Sequence, residues 1–162
     1  MSTIRVVSET SLPPDVVLTA AHDFSERRAE IFPAVELEHF EVHELAESSA
    51  DVTEGTKVGP FGTNWERCRY DWSQPGTVKA PVTDSNVYEP LPSSWEITAT
   101  PNNGGSRVEM VWTRKFRGGA RGRIFGTLFR LVGKPIFGRY ARDVLANLEG
   151  LEARSTRADQ AS

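Results

Sequence analysis

One long, apolar-striped helix follows a run of short strands, and this order limits the possible folds more than any other feature of the sequence. The last strand, predicted over residues 107–116, leads into a Gly-rich joint over residues 117–123, and the helix then extends to about residue 151. This order predicts an α+β domain in which the helix covers one face of a curved sheet. The space between helix and sheet is either a core or a cavity, and a cavity there is the expected functional site.

The preceding segments read as short elements. Alternating apolar residues predict a first strand over residues 3–9, and two short helices are predicted over residues 16–22 and 24–32, the second ended by Pro33. Further strands are predicted at residues 39–46, 51–58, 63–72, 77–86 and 95–100, with a hairpin turn at residues 102–105 before the last strand. In the long helix, Gly133 and Pro135 predict a kink or break that leaves residues 122–132 as a mobile lid.

Composition narrows the functional classes. The 162 residues carry a net charge of −3, which disfavours nucleic acid as a partner, although basic residues cluster between Arg114 and Arg142. The single cysteine, Cys68, excludes an intramolecular disulfide and fits a reducing compartment. Neither a signal peptide nor an apolar run of membrane-spanning length is apparent, so the expected location is cytoplasmic, without stable membrane insertion.

Five stretches carry a resemblance to a known family: residues 65–72, 82–86, 94–96, 104–108 and 145–151. With the order of elements, they make the chain similar to the SRPBCC superfamily, which has a START-like, birch-pollen-allergen-like helix-grip fold. Within it, the chain resembles the polyketide cyclase/dehydrase and lipid transport group. The resemblance implies a single domain over residues 1–152, in which a seven-stranded curved antiparallel sheet and two short helices wrap around the C-terminal helix. Residues 153–162 are expected to form a flexible polar tail.

The resemblance also implies an apolar cavity, and strand alternation predicts which side chains face it. In the strand at residues 63–72 alternation does not decide the inward face, since a single bulge would reverse it. The predicted ligand-binding residues are Tyr70, Trp72, Val82, Asp84, Asn86, Trp95, Met110, Trp112, Arg114, Phe125, Phe129 and Tyr140.

Three of these residues are polar on otherwise apolar faces: Asp84, Asn86 and Arg114. In one interpretation they form a polar anchor inside the cavity, with Arg114 pairing with Asp84 or with a ligand carboxylate. In the other, each lies at a strand end in water. The residues alone favour the second interpretation, because buried charge is rare.

Other chemistries find little support in the sequence. His39 and His43 would lie about 13 Å apart along a strand, too far to share a metal ion. Cys68 lacks a His partner motif, and the glycines of residues 118–122 lack the Lys-Ser/Thr of a phosphate loop. We therefore predict no metal site and no cofactor, and we assign no catalytic residue.

The predicted function is that of a soluble binding or carrier protein for a small hydrophobic ligand such as a lipid, a polyketide or an isoprenoid-like compound. One alternative is an aromatase/cyclase-type enzyme acting on a poly-β-keto chain. Another is a regulatory or interaction protein whose own side chains fill the cavity. A titratable pair deep in the cavity would favour the enzyme. The chain is expected to be a monomer or weak homodimer, with at most transient membrane contact through the basic helix.

Overall fold

The computed structural model describes residues 1–161, so Ser162, the last residue of the predicted tail, lies outside the described residues. Within them, seven strands form one antiparallel sheet in the order β1-β7-β6-β5-β4-β3-β2. The strands are β1 (Ser2–Thr10), β2 (Glu41–Leu45), β3 (Ser49–Lys57), β4 (Thr63–Asp71), β5 (Thr77–Ser85), β6 (Ser94–Asn102) and β7 (Gly105–Arg114). The helices are α1 (Pro14–Ala21), α2 (Arg28–Ile31) and α3 (Ala120–Gln160). This is the predicted fold class.

Strand alternation places the core side chains on the sheet face that α3 covers. In β7, Met110 and Trp112 are buried and Val111 is only half-buried, as their alternation predicts. The β6–β7 hairpin turns at Asn103 and Gly104, which both have a positive φ, of 47° and 84°. Asn and Gly tolerate this conformation best, which explains why the pair was a reliable signal for a hairpin.

A bulge in β5 changes which side chains face the interior. Cys68 of β4 lies opposite Val82, but the next pair is Arg67 with Asp84, so Thr83 is an extra residue. Beyond it the alternation is reversed: Val82 is buried, Asp84 is exposed and Ser85 is buried. The expected inward position of Asp84 is therefore wrong, because a bulge moves every later side chain of a strand to the other face.

The short helices differ slightly from their predicted extents. The second is a single turn, Arg28–Ile31, rather than residues 24–32, because Asp23 accepts a hydrogen bond from the backbone N–H of Ser25 and forms a turn there. Both α1 and α2 contribute buried residues to the core, among them Ala21 and Ile31.

Helix α3 is continuous through Pro135, so the predicted break is not present. Pro135 is exposed, and Gly133 is buried against β1. A Cβ atom at position 133 would lie 2.4 Å from Cδ1 of Ile4, so glycine is needed here for close contact between helix and sheet. That residues 122–132 form a mobile lid stays a prediction. The helix also includes residues 153–160 of the predicted tail.

Candidate ligand-binding cavity

A cavity of about 400 Å³ lies between the inner face of the sheet and the first half of α3. Its wall is mostly apolar and aromatic. Trp112 and Phe116 line it from the last strand and the segment after it, and Phe129 and Phe137 line it from the helix. Trp112 is buried, and the centre of its ring system lies 4.6 Å from that of Phe137. The packed aromatic rings give the cavity a rigid apolar wall.

The cavity opens between α3 and the connection from β3 to β4. Leu128, Val132 and Ile136 line the cavity and are also exposed, which places them at its rim. Across the opening, Arg121 of α3 donates hydrogen bonds to the carbonyl oxygen of Phe61 at 3.1 Å and to Oδ1 of Asn64 at 2.8 Å. The start of the helix is thereby joined to the loop that forms the opposite side of the mouth.

An ion pair lies in the cavity wall. Arg114, which is 4% exposed, donates from Nη2 to Oε1 of Glu66 at 3.0 Å and from Nη1 to the carbonyl oxygen of Ser94 at 3.0 Å. Its guanidinium carbon lies 4.6 Å from the centre of the Tyr88 ring. Within residues 1–161, Nε of Arg114 and Oε2 of Glu66 have no hydrogen-bond partner, although both atoms are buried. The pair thus retains one free donor and one free acceptor.

Burial and charge set the protonation of this pair. Burial raises the pKa of the Glu66 carboxyl above its ordinary value, and the attraction of Arg114 only partly opposes this effect. Burial disfavours the charge of Arg114, but the nearby Glu66 and Tyr88 outweigh that effect and raise its pKa, so it stays protonated. Glu66 is therefore the group in the cavity wall that is prepared to exchange a proton near neutral pH.

A second buried network lies deeper. Arg28 donates from Nε to Oε1 of Glu54 at 2.7 Å and from Nη2 to the hydroxyl of Tyr70 at 2.9 Å, and that hydroxyl donates to Oε2 of Glu54 at 2.7 Å. A third bond, from Nη1 of Arg28 to the carbonyl oxygen of Ala21, measures 2.9 Å. The network joins α1, α2, β3 and β4 with its polar groups paired, which is typical of a structural role.

An inner chamber of about 60 Å³ separates the two networks. Glu54 and Arg114 line both this chamber and the main cavity, as does Tyr140. Burial raises the pKa of the hydroxyls of Tyr88 and Tyr140, so both stay protonated at neutral pH and can donate a hydrogen bond. The inner end of the cavity is therefore more polar than its mouth.

Seven of the twelve predicted ligand-binding residues line one of these two spaces. Trp112, Arg114, Phe125, Phe129 and Tyr140 line the main cavity, and Tyr70 and Trp95 line the inner chamber with Arg114. Whether they bind a ligand stays a prediction. The structure also decides the inward face of β4, since Cys68 and Tyr70 are both buried.

The remaining five residues do not line the cavity. Val82 and Met110 are buried in the core. Trp72 stacks on His22, with ring centres 4.5 Å apart. Asp84 pairs with Arg117 at 3.3 Å, so the expected pairing of Arg114 with Asp84 is wrong. Asn86 joins neighbouring backbone, accepting from the N–H of Trp65 and donating to the carbonyl oxygen of Thr63, each at 2.9 Å.

Sequence reasoning missed the carboxylates of the cavity. Glu66 has the same alternation as Cys68 and Tyr70, so fixing the inward face of that strand would have identified it. Glu54 alternates with Val52 in the same way on β3. Arg28 gave no comparable signal, because an arginine in a one-turn helix is normally exposed.

One group of side chains has metal-ligating geometry. Ligand atoms of Glu36, Glu38 and His39 lie within 4.8 Å of one another. Both carboxylates already pair with Lys57, and neither Glu38 nor His39 lines the cavity. We assign no metal or cofactor to this group. None of the described helices is both long enough and apolar enough to cross a bilayer.

Comparison with known proteins identifies the fold. No family model and no curated protein matches the sequence. Among solved structures, the Zhui aromatase/cyclase from Streptomyces sp. R1128 is similar at a TM-score of 0.73 and 15% identity, over 98% of this chain and 97% of that one. TTHA0849 from Thermus thermophilus gives 0.70 and 17%, over 92% and 95%. A START superfamily protein from Mycobacterium smegmatis gives 0.60 and 10%, over 99% of both chains. The expected helix-grip fold is confirmed.

Proposed function

We propose that this START-like helix-grip domain binds one small, largely apolar and electrically neutral molecule that carries a hydroxyl or carbonyl group. The observation that carries the proposal is the Arg114–Glu66 pair, which is buried in the wall of an apolar cavity with one donor and one acceptor unused. The apolar wall supplies binding energy through burial, and the pair fixes the ligand's orientation.

The size and lining of the cavity support ligand binding over the alternative of an interaction protein with a filled interior. A volume of about 400 Å³ lies within the range of sites for small molecules. The chain's own side chains leave this space open, although large aromatic residues such as Phe129 and Phe137 surround it. A protein that needed only a stable core would gain several kcal/mol by filling such a space.

The charges already present in the cavity favour a neutral ligand. Arg114 is paired with Glu66, and Arg28 is paired with Glu54, so each buried cation has a carboxylate partner. A ligand carboxylate would add a negative charge beside Glu66 without a free cation to balance it. The structure therefore replaces the expectation of a carboxylate ligand with that of a hydroxyl, ketone or enol, which can accept from Nε of Arg114 and donate to Oε2 of Glu66.

A displacement experiment tests this charge argument. An environment-sensitive apolar dye is bound to the protein at pH 8 and displaced with a long-chain alcohol or with the fatty acid of the same length. The alcohol should displace the dye from the native protein at the lower concentration. Glu66→Gln should improve the affinity for the fatty acid about ten-fold or more, because Arg114 becomes free for a charge-assisted bond of about 1.5–3 kcal/mol.

The matched control is Asp84→Asn, which removes one negative charge outside the cavity. It should leave both affinities unchanged. Equal preference of the native protein for acid and alcohol would contradict the proposed neutral ligand. Absence of saturable dye binding would contradict ligand binding itself.

A second candidate function is acid–base catalysis of the aromatase/cyclase type on a β-keto chain. A specific observation favours it, namely that Glu66 has a raised pKa and an unpaired oxygen next to the fixed cation of Arg114. Arg114 would polarise a ketone oxygen while Glu66 removes a proton from the adjacent carbon. The similar structure from Streptomyces sp. R1128 is named an aromatase/cyclase.

Proton exchange distinguishes catalysis from binding alone. An apolar 1,3-diketone is incubated with the protein in D₂O, and loss of its α-proton signal is followed by NMR. An enzyme should accelerate the exchange, and Glu66→Gln should lower the accelerated rate by about 10²–10⁴-fold while Asp84→Asn leaves it unchanged. If the diketone binds but exchanges at the rate seen without protein, the chain is a binder and the enzyme candidate is wrong.

A further inference from the structure

The first half of α3 combines exposed apolar side chains with unbalanced positive charge. Nine of the chain's 19 Lys and Arg residues lie between residues 114 and 142, and that segment contains neither Asp nor Glu, although the whole chain has a net charge of −3. Six of the nine lie on α3 and are exposed: Arg121, Arg123, Arg130, Lys134, Arg139 and Arg142. Within residues 1–161, Arg139 alone among the six forms an ion pair, with Asp143 at 3.8 Å.

Large apolar side chains are exposed on the same part of the helix. Ile124, Leu128 and Leu131 follow the i, i+4, i+7 spacing of one helix face, and Leu131 is 75% exposed. Ile136 is 57% exposed, and across the mouth Phe61 is 47% exposed. A contiguous exposed apolar patch of this kind marks an interaction site in a soluble protein.

The cations form a stripe beside the apolar one. Arg123, Arg130 and Lys134 follow the i, i+7, i+11 spacing, each one position before Ile124, Leu131 and Pro135. In an interfacial helix this arrangement lets the apolar side chains enter the boundary of the acyl chains while the cations stay at the level of the lipid phosphates.

From these features we propose that residues 120–142, here called the mouth helix, dock the protein on the surface of a bilayer that contains anionic lipid. Each cation near such a surface strengthens binding, and the exposed apolar side chains add their burial. The docking does not depend on what the cavity holds. It would also place Leu128, Val132 and Ile136, which line the cavity rim, against the membrane, so an apolar ligand could pass between cavity and bilayer without crossing water.

The charge pattern disfavours a second copy of this chain as the occupant. Two mouth helices face to face would bring two sets of cations together, and this segment contains no carboxylate to pair with them. The exposed stripe is also the convex surface of a helix, which a fluid bilayer can cover without a matching groove.

Vesicle co-sedimentation of the full chain tests the proposal. Vesicles of phosphatidylcholine alone are compared with vesicles containing three parts phosphatidylglycerol to seven parts phosphatidylcholine, at low salt and at 0.5 M NaCl. The protein should bind the anionic vesicles more tightly than the neutral ones, and salt should weaken this binding.

Matched variants separate the mouth helix from general charge and hydrophobicity. Arg130→Gln/Lys134→Gln should weaken binding to anionic vesicles about ten-fold or more, whereas Arg154→Gln/Arg157→Gln, which removes the same charge from the exposed far end of α3, should not. Leu131→Asn should also weaken binding, but Leu45→Asn, at an exposed leucine on β2, should not. All these positions are exposed, and circular dichroism checks that each variant is folded.

Three results would overturn the proposal. One is absence of binding to anionic vesicles. Another is binding that both arginine and lysine double variants weaken equally, since that would show attraction by net charge alone. The third is a concentration-dependent dimer in sedimentation velocity that Leu131→Asn abolishes, which would assign the mouth helix to a second copy of the chain.

Discussion

Glu66 depends on its surroundings more than any other residue of the cavity. Its two oxygens have different environments, since Oε1 accepts from Arg114 and Oε2 is buried without a partner. Loss of water around the carboxylate exceeds the stabilisation by one cation, and the pKa of Glu66 is raised accordingly. A single side chain thus combines a fixed hydrogen bond with a free atom toward the ligand.

This raised pKa predicts a pH dependence of stability. Because the folded state binds the Glu66 proton more tightly than the unfolded state, the stabilisation is fully present below the ordinary pKa of 4.5 and is lost as pH rises through the folded pKa. The free energy of unfolding of the native protein, relative to Glu66→Gln, should therefore fall between pH 4.5 and neutrality. Its slope cannot exceed about 1.4 kcal/mol per pH unit.

Chemical denaturation of both proteins across this pH range measures the difference, and the glutamine variant cancels the contribution of the other titrating groups. Arg114 is unpaired in the variant at every pH, so it adds an offset rather than a slope. A difference that does not change with pH would show that the pKa of Glu66 is not raised.

At this scale the sequence predicted which residues are apolar and buried, but not how the polar ones pair. Met110 and Trp112 followed from strict alternation along β7. The partner of Arg114 did not, because a bulge at Thr83 turns Asp84 outward and leaves Glu66 as the carboxylate within reach. An extra residue in a strand has no reliable sequence signal when the flanking residues are themselves polar.

Among the elements, α3 is positioned by its contact with β1 at Gly133. The helix approaches the strand so closely that no side chain fits at this position, and Ile4 occupies the space on the strand's side. This contact is close to the cavity, since Gly133 also belongs to its lining. The distance between helix and sheet, and with it the width of the cavity, depends on the absence of a Cβ atom there.

Gly133→Ala should therefore destabilise the protein by about 1–3 kcal/mol through overpacking, although alanine favours helix by about 1 kcal/mol over glycine. Ile4→Val removes the clashing Cδ1 and alone should cost about 0.5–1.5 kcal/mol. In the double variant the two losses should be clearly less than additive. Thermal or denaturant unfolding of the four proteins gives this coupling energy.

Gly138→Ala is the matched control, because a Cβ atom at position 138 would lie 3.7 Å from Arg142 Nη1, an ordinary contact. It should stabilise the protein slightly. Additive losses at positions 4 and 133 would contradict the assigned role of Gly133.

The elements themselves were predictable because their signals are local. Seven strands and the long helix follow from alternation, turn residues and an apolar stripe, and their predicted limits lie within a few residues of those observed. The break at Pro135 was not correctly predicted. Glycine and proline three residues apart resemble a hinge in sequence, but only the contact with Ile4 reveals why the glycine is there.

For the whole molecule, the order of elements was sufficient to predict the fold, whereas the cavity needed the structure. A helix over a curved sheet can enclose a core or a space, and the difference depends on how far apart α3 and the sheet are held near the mouth. Arg121 and the loop at Phe61 hold one end, and Gly133 on Ile4 sets the other. Such spacings between distant segments leave no periodic trace in a sequence.

The pairing of β1 with β7 has a consequence for how the chain is made. Every other strand pairs with a neighbour in sequence, but Ser2 lies opposite Arg114, so the first strand to leave the ribosome waits for the last. Until then, Ile4 and the open edge of β1 are available to other chains. Contacts of such large sequence separation slow folding, so β1 joins late and the nascent chain depends on chaperones for most of its synthesis.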